Sequence, residues 1–368
     1  MTRRTRAVIH ADALQHNLAQ ARHAAPASRL MAVIKSDGYG HGLLRVASAL
    51  RRADAFAVTC LEEAIPLREA GYAHPILLLA GPFEADELAL YRRYRLDLVV
   101  HSAWQVELLE SAPPGRSLSV WLKVDSGMHR LGLAPEQVPG MHARLQACAA
   151  VNRHIRLLSH MACADDRDDP DSTPQQLQCF HDAVRGLDGE RSLANSASVL
   201  GWPDTHADWI RPGIMLYGVD PFCDEQTRRP DLRPTMTLAS PLIAIRHVRA
   251  GERIGYGATW TCPEDMPVGV VAIGYGDGYP RHAPSGTPVL VNGAETQLLG
   301  RVSMDLITID LRGLLDRVAI GDEVVLWGQG LPVERIAALC GTIGYELLCG
   351  VSPRVYRDME VEGGESTE

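Results

Sequence analysis

Short apolar runs alternate with helical patterns along about the first 230 residues, and this alternation limits the possible folds more than any other feature. Runs that are apolar throughout are typical of parallel strands buried on both faces. Eight such strands alternating with helices predict a (β/α)8 barrel, with an open doubly wound sheet as the alternative. The last two runs give the weakest strand signals. The runs are LMAVI (30–34), AFAV (55–58), ILLLA (76–80), LDLVV (96–100), VWLKV (120–124), IRLLS (155–159), RSLAN (191–195) and DWIRP (208–212).

The pattern changes after residues 231–240, where helical periodicity becomes rare and strand-like runs dominate. Val291-Asn292-Gly293 is a strong hairpin signal, and one helix is predicted near residues 332–341. We therefore expect a barrel domain over 1–234, a β-rich domain over 235–358 and an acidic tail over 359–368. The strand-like runs are 268–275, 288–293, 306–311 and 323–327.

Two helices of the first half have predicted capping boxes at their amino ends. Thr59 with Glu62, and Ser102 with Gln105, have the spacing in which the two side chains bond each other's backbone N–H groups. Each pair therefore predicts where a helix begins directly after a strand of the barrel.

Composition excludes several classes of function. The net charge is −9, without a basic stripe for nucleic acid or a basic amphipathic helix for a membrane surface. No apolar run reaches the 18 or so residues of a membrane span, and the first residues lack the apolar core of a signal peptide. The eight cysteines are scattered, without a C-x-x-C pair. We therefore expect a cytoplasmic protein with reduced thiols and no metal site.

Lysine is rare in this chain, and its two positions are informative. Of the 36 basic residues only Lys35 and Lys123 are lysines, and both directly follow apolar strand residues. Arginine stays protonated at working pH, whereas a desolvated lysine amine can lose its proton and form an imine. The two lysines are therefore candidates for chemistry rather than for surface charge.

Polar residues follow most strands of the predicted barrel. The carboxyl ends of barrel strands surround the active site in enzymes of this fold, so these side chains are expected to meet. Each has a structural explanation when taken alone, such as a helix cap for Ser196 or a core histidine for His160. Their joint placement favours a site. The residues are Lys35, Lys123, Asp125, His160, Asn195, Ser196 and Arg211.

The loops after the seventh and eighth strands predict a phosphate site. Ser196 offers a hydroxyl, and Gly213 permits close approach of its own N–H and that of Ile214 to an anion. The glycines after Lys35 match neither a P-loop nor a dinucleotide fingerprint. A reactive lysine, an arginine and a phosphate cradle indicate a phosphorylated aldehyde held as an imine, which pyridoxal phosphate satisfies. An imine-forming aldolase acting on a sugar phosphate fits the first half nearly as well.

The chain resembles the alanine racemase family over residues 6–357. Nine motifs follow the family pattern in order: VIKSDGYGHG, LKVDSGMHRLGL, SHMACAD, NSAS, IRPGIMLYG, IGYGATW, GYGDGYPRH, GRVSMD and GYELLC. The resemblance implies a pyridoxal phosphate enzyme with a barrel and a β domain, working as a homodimer with shared active sites. It also implies two catalytic bases, Lys35 and Tyr256 of the partner subunit.

The resemblance further implies roles for single residues. Lys35 holds the cofactor, and Arg211 stands opposite its pyridine nitrogen. Arg130 and the backbone N–H of Met304 contact the substrate carboxylate, and Tyr275 lines the entrance. Lys123 matches a lysine that is often carbamylated. The other cofactor-binding positions are Tyr39, His160, Asn195, Ser196, Gly213, Ile214 and Tyr345.

Three alternatives stay open at this level. Ser36, Gly38 and His129 depart from the common family residues, as does RVYR near residue 355. These departures affect the substrate range, so a broader racemase that accepts serine is one alternative. The second, from another class, is a pyridoxal phosphate carrier protein without turnover, which would resemble the barrel half alone. The third, a related decarboxylase, lacks support in the second half of the chain.

Overall fold

The structure, a computed structural model, describes residues 4–166, 168–222 and 231–360. After a first strand, β1 (Arg6–His10), eight strands close into a barrel in which every neighbouring pair is parallel and the last strand pairs with the first. All eight predicted strands are confirmed, and closure excludes the doubly wound sheet. The barrel strands are β2 (Arg29–Val33), β3 (Ala55–Val58), β4 (Ile76–Leu78), β5 (Asp97–Val100), β6 (Ser119–Lys123), β7 (Arg156–Leu158), β8 (Arg191–Ser192) and β9 (Trp209–Ile210).

Helices surround the barrel and bury one face against it. In the first helix Leu14, Leu18 and Ala21 are buried at the spacing of one helical face. Single 3-10 turns occur at Pro135–Gln137, Pro203–Thr205 and Ile214–Tyr217. The helices are α1 (Ala11–Ala24), α2 (Leu43–Ala49), α3 (Leu61–Glu69), α4 (Glu87–Tyr94), α5 (Ala103–Glu110), α6 (Val138–Ala147), α7 (Ser172–Ala183) and α8 (Ser196–Gly201).

The predicted capping boxes need correction. Helix α3 has Cys60 rather than Thr59 as its N-cap, so Glu63 occupies the third helical position that was assigned to Glu62. The Glu63 carboxylate accepts the backbone N–H of Thr59 at 2.8 Å. At α5 the amide oxygen of Gln105 likewise accepts the N–H of the residue before the N-cap, His101, at 2.8 Å. Both helices begin near the predicted positions, but neither N-cap side chain makes a capping hydrogen bond, and in each helix the third residue accepts the N–H of the residue before the N-cap.

The second unit is built around an eight-stranded sheet. The sheet order is β13-β16-β15-β14-β17-β10-β1-β18, and an additional β10–β13 pairing closes six of these strands into a ring. The predicted strand-like runs, the hairpin turn at Asn292-Gly293 and the helix near 332–341 are confirmed. The elements are β10 (Met236–Val248), β11 (Arg253–Ile254), β12 (Trp260–Thr261), β13 (Met266–Val271), β14 (Pro288–Val291), β15 (Ala294–Leu299), β16 (Ile307–Asp310), β17 (Glu323–Trp327), α9 (Val333–Leu339), α10 (Gly344–Cys349), β18 (Tyr356–Glu360), and the 3-10 turns Tyr256–Ala258, Tyr275–Asp277 and Leu315–Arg317.

The two ends of the chain differ from the sequence prediction. Strand β1, which the range 1–234 assigned to the barrel, lies in the second sheet, antiparallel to β10 and parallel to β18. It joins that sheet because Ala7 and Ile9 are fully buried there, a contact with residues far along the chain. Met359 and Glu360, assigned to the tail, belong to β18. The rest of the predicted tail, residues 361–368, lies outside the described residues.

A network of charged and aromatic side chains closes the amino end of the barrel. The carboxylate of Glu190 accepts hydrogen bonds from Arg29, from Arg156 at 2.8 Å and from the indole N–H of Trp209 at 3.1 Å. Arg156 also lies 3.4 Å from the carboxylate of Asp97. In barrels of this kind the amino end contributes to stability, and the active site lies at the carboxyl end.

The helices and cysteines agree with the composition. Within the described ranges, no helix has both the length and the apolar character needed to cross a membrane. The cysteines of those ranges are all free thiols: Cys60, Cys148, Cys163, Cys179, Cys262, Cys340 and Cys349.

Candidate active site

A cavity of about 510 Å³ opens at the carboxyl ends of the barrel strands. Most of its wall comes from strand ends and the loops after them, and α10 of the second unit supplies the remainder. Asp125, also selected from the sequence, does not line it; its carboxylate accepts the N–H groups of Gly127 and His129 and folds the loop after β6. Eleven predicted residues do line it: Lys35, Tyr39, Lys123, Arg130, His160, Asn195, Ser196, Arg211, Gly213, Ile214 and Tyr345.

Lys35 begins a strained segment, residues 35–42, which we call the lysine turn. Ser36, Asp37 and Tyr39 have φ values of 54°, 53° and 50°, in the left-handed region. That conformation costs roughly 1–2 kcal/mol for each residue with a Cβ, so neighbouring contacts must hold it. Asp37 does so in part, because its carboxylate accepts the N–H of Leu43 at 2.8 Å. The turn leaves Lys35 against the cavity.

The environment of Lys35 favours its neutral amine. Burial, and then the guanidinium of Arg130, lower the pKa of Lys35 below its ordinary value of 10.5. The carboxylate of Glu63 and the thiol of Cys349 oppose this change. A partly desolvated lysine of this kind has the properties of an amine nucleophile or base.

One wall of the cavity is packed closely enough to require a glycine. A Cβ placed on Gly213 would lie 2.5 Å from the hydroxyl oxygen of Tyr39. The Tyr39 ring stacks on Tyr217, with centroids 4.3 Å apart, and the Tyr345 ring lies 6.1 Å from it. Backbone and hydroxyl groups therefore converge at this wall.

The backbone N–H of Gly213 is not directed as the sequence suggested. It donates to the hydroxyl oxygen of Ser196 at 2.9 Å, and Met215 donates to the same oxygen at 3.2 Å. Asn195 caps helix α8 by accepting the N–H of Ser198 at 3.1 Å. The hydroxyl of Ser196 thus gathers the turn after β9 against the start of α8, a contact between segments that sequence spacing could not place.

Arg211 is buried and fixed from several sides. Its guanidinium donates to the Ser192 hydroxyl at 2.5 Å and to the Ser159 carbonyl at 2.6 Å, and it lies 3.4 Å from Nδ1 of His160. Burial lowers the pKa of Arg211 to about 10, which still leaves a cation at neutral pH. Burial, followed by Arg211 and Lys123, lowers the pKa of His160 well below its ordinary value. Because Arg211 can only donate, neutral His160 presents Nδ1 as an acceptor.

Lys123 and Arg130 form a cationic pair on the opposite wall. Burial, followed by Arg211 and Arg130, lowers the pKa of Lys123 to about 8. Arg130 makes no hydrogen bond or ion pair within the described residues. An anion placed between the two groups would therefore relieve unbalanced positive charge.

Three predicted residues lie away from this cavity. Tyr256, Tyr275 and Met304 belong to turns of the second unit and are 69%, 41% and 54% exposed. The N–H of Tyr275 donates to the carbonyl of Ser303 at 3.0 Å, so Tyr275 and Met304 share one surface. We call these three side chains the loop face. None of them reaches the cavity of its own chain.

Sequence reasoning missed several residues of the cavity wall. Thr59 is a polar residue directly after β3, so the strand-end rule could have included it. Leu79 and Ala80 follow β4 and would have been found had the rule been applied to apolar and small residues as well. Leu131 lies in the loop after β6. Cys349 comes from helix α10, in which the family resemblance had already indicated Tyr345 but not the thiol four residues later.

Both halves of the chain match models of one known protein family. The model of the alanine racemase N-terminal domain matches residues 9–221, and that of the alanine racemase C-terminal domain matches residues 235–359. The chain belongs to the alanine racemase family. Membership makes it an enzyme of the isomerase class, and the barrel with a mainly β second unit agrees with the structures of this family.

Relatives within the family match almost the whole chain. Alanine racemase from Halorhodospira halophila is 57% identical over 359 residues, which cover 97% of this chain and 98% of the relative. Alanine racemase from Nitrosococcus oceani is 54% identical, covering 96% and 99%. The crystal structure of biosynthetic alanine racemase from Pseudomonas aeruginosa superimposes with a TM-score of 0.93 at 48% identity, covering 98% of this chain and all of that one.

Proposed function

We propose that the protein interconverts L-alanine and D-alanine with pyridoxal phosphate held in the cavity. One observation carries the proposal: the desolvated amine of Lys35 and the buried guanidinium of Arg211 line the same cavity. An imine-forming aldolase would share the lysine, but the relatives over both halves of the chain are named alanine racemases.

The residues present fit this cofactor. The cavity, of about 510 Å³, is large enough for a substituted pyridine ring with a phosphate. Glycine at position 213 lets the Tyr39 hydroxyl lie against the backbone of this wall, where a Cβ would collide with it. Lys35 would hold the aldehyde carbon, and Arg211 would face the ring nitrogen. When bound, the cofactor draws electrons from the amino acid and so acidifies its Cα–H bond. Residues suited to the phosphate are Tyr39, Ser196, Ile214 and Tyr345, with His160 and Asn195 beside them. Gly213 would contribute its lack of a side chain at this wall, because its N–H already donates to the Ser196 hydroxyl.

Arg211 would limit the chemistry that follows. Its cation is permanent at working pH and is fixed by the Ser192 hydroxyl and the Ser159 carbonyl. A fixed cation opposite the ring nitrogen disfavours protonation of that nitrogen. Weaker electron withdrawal then suppresses side reactions that need a long-lived carbanion, which favours simple return of the proton to Cα.

Racemisation requires proton transfer on both faces of the substrate. Lys35 is suited to one face, because burial and Arg130 favour its neutral form. Neither tyrosine of the loop face lines the cavity of its own chain. Tyr256 is the more exposed of the two and is available to another subunit. We therefore assign the second face to Tyr256 of the partner subunit, in a homodimer whose two active sites are shared.

The substrate carboxylate would be bound by cations and backbone groups. Arg130 is suited to this role because it makes no ion pair within the described part of the chain. The N–H of Met304 and the ring of Tyr275 would reach the site together with Tyr256. A neutral amine reacts with carbon dioxide to give a carbamate, and a pKa of about 8 leaves part of Lys123 neutral at physiological pH. A carbamate on Lys123 would place an anion beside Arg130 and hold it in position.

Circular dichroism of the substrate tests the activity directly. With pyridoxal phosphate bound, the protein should drive the signal of L-alanine to zero, and D-alanine should reach the same end point from the opposite sign. L-serine measures the substrate range under the same conditions. A cofactor-loaded protein that leaves both alanine signals unchanged would support the carrier alternative and exclude racemisation.

Mixing two inactive variants tests the shared site. We expect Lys35→Ala and Tyr256→Phe subunits, each inactive or nearly so alone, to regain activity when co-assembled. In a hybrid dimer one site carries both defects and the other carries neither. Equal random mixing should thus restore about a quarter of the wild-type activity. Hybrids that form and bind cofactor but stay inactive would show that Tyr256 does not act across the interface.

A further inference from the structure

We propose that Glu63 is a positioning residue for Lys35, because its carboxylate ties the amino end of the lysine turn to the adjacent barrel strand and so directs the amine into the cavity. This inference rests on the proposed function, in which the Lys35 amine is the group that holds the cofactor. Glu63 itself does not line the cavity and so acts through Lys35.

Both carboxylate oxygens of Glu63 are used. Oε1 accepts the backbone N–H of Ser36 at 2.5 Å, and Oε2 accepts the backbone N–H of Thr59 at 2.8 Å. Ser36 follows Lys35 directly, and Thr59 directly follows β3, the strand paired with β2. One side chain therefore joins the carboxyl ends of two neighbouring barrel strands at the cavity wall. Charge-assisted bonds of this kind are stronger than neutral ones.

The remainder of the lysine turn is held by other groups at its far end. Arg357 of the second unit donates to the Gly40 carbonyl at 2.6 Å, and a Cβ on Gly40 would lie 2.1 Å from the Leu348 carbonyl oxygen. Nδ1 of His41 lies 2.9 Å from the Tyr39 carbonyl oxygen. These contacts fix residues 39–41, whereas the bond from Glu63 acts at Ser36, directly beside the amine-bearing residue.

Charge gives Glu63 a second effect on the same amine. Burial and Arg130 favour the neutral form of Lys35, while the negative charge of Glu63 favours the ammonium. Cys349 on α10 acts in the same direction as Glu63. Two further titratable groups face Lys35: Lys123 from β6 and His160 from the loop after β7. Arg211 faces the same cavity from the loop after β9. Glu63 thus opposes, at Lys35, the effect of the surrounding positive charge.

Two substitutions separate reach from charge. Glu63→Gln keeps the length and one acceptor oxygen but removes the charge. Glu63→Asp keeps the charge but is one methylene shorter, so it cannot hold Ser36 and Thr59 together. Glu62→Gln is the matched control, because it removes the same charge from the neighbouring residue. The Glu62 side chain is exposed and makes no bond to the lysine turn.

The first readout is the pKa of Lys35, measured by NMR on the full-length protein freed of cofactor and reductively methylated with ¹³C-formaldehyde. The chain has only two lysines, and Lys35→Arg identifies the signal. Glu63→Gln should lower the pKa of Lys35 by about 1 pH unit, while Glu62→Gln leaves it unchanged. A purely structural role would alter the melting temperature without this selective change, and equal pKa values in the two variants would overturn the proposal.

The second readout is the limiting rate of covalent bond formation between pyridoxal phosphate and Lys35 at alkaline pH. Glu63→Asp should lower it roughly tenfold, since one backbone N–H loses its charge-assisted partner. An Asp variant that loads at the wild-type rate would also overturn the proposal. If wild-type protein forms no covalent bond at all, the proposed function fails, and the NMR comparison alone then decides the role of Glu63.

Discussion

Lys35→Arg should abolish racemisation and covalent cofactor binding while leaving the fold intact. Arginine keeps the positive charge, but its guanidinium cannot lose a proton at working pH and cannot form an imine. The wild-type amine differs because burial and Arg130 favour its neutral form. Activity should fall below detection, since in the proposed function the same side chain is both the cofactor anchor and one of the two bases. The fold should persist, because the contacts of the lysine turn come from Glu63, Asp37 and Arg357 rather than from the amine.

Borohydride reduction provides the measurement for this variant. In wild-type protein it should fix the cofactor to the peptide that carries Lys35, as mass spectrometry would show, and in Lys35→Arg it should fix none. Lys123 is the internal control, because it is the other lysine of the chain and faces the same cavity. A label on Lys123, or a racemising Lys35→Arg protein with an unchanged melting temperature, would refute the assignment of the anchor.

Tyr256→Phe should slow racemisation by roughly 10²- to 10⁴-fold, the usual effect of losing a positioned acid–base group. Phenylalanine removes only the hydroxyl, and that side chain is 69% exposed in the chain, so the stability of the subunit should change little. The cofactor should still bind, since Tyr256 does not line the cavity of its own chain. Cofactor content and the rate of alanine racemisation, measured on the same preparation, separate the two effects. An unchanged rate with full cofactor occupancy would exclude Tyr256 from the chemistry.

The architecture was predictable where local pattern and fold rules agree. The barrel strands are short apolar runs closed by parallel pairing, and polar residues at their carboxyl ends meet because the fold brings those ends to one face. Strand β1 was missed for a physical reason. Its sequence, RAVIH, has no local feature that distinguishes a barrel strand from a partner of β10 and β18, more than 200 residues away.

The site was predictable in its side chains but less so in its backbone. Lys35 and Arg211 follow from strand ends, whereas the hydrogen bond from Gly213 to the Ser196 hydroxyl depends on two loops that meet in three dimensions. The link from Glu63 to Ser36 was missed because the helix begins one residue later than the capping pattern predicted. Tyr256 is a separate case, since the role that we propose for it, across a subunit interface, cannot be read from the fold of one chain.

Exchange of the Cα proton with deuterated solvent, measured separately from L-alanine and D-alanine in Tyr256→Phe, tests the two-face account most directly. Each enantiomer presents its Cα–H bond to one base, so the loss should be uneven between them. Exchange from L-alanine should collapse, while exchange from D-alanine should persist through Lys35. Overall racemisation constants cannot show this asymmetry, because equilibrium links the two directions. Equal losses from both enantiomers, or little loss from either, would contradict the assignment of Lys35 and Tyr256 of the partner subunit to opposite faces.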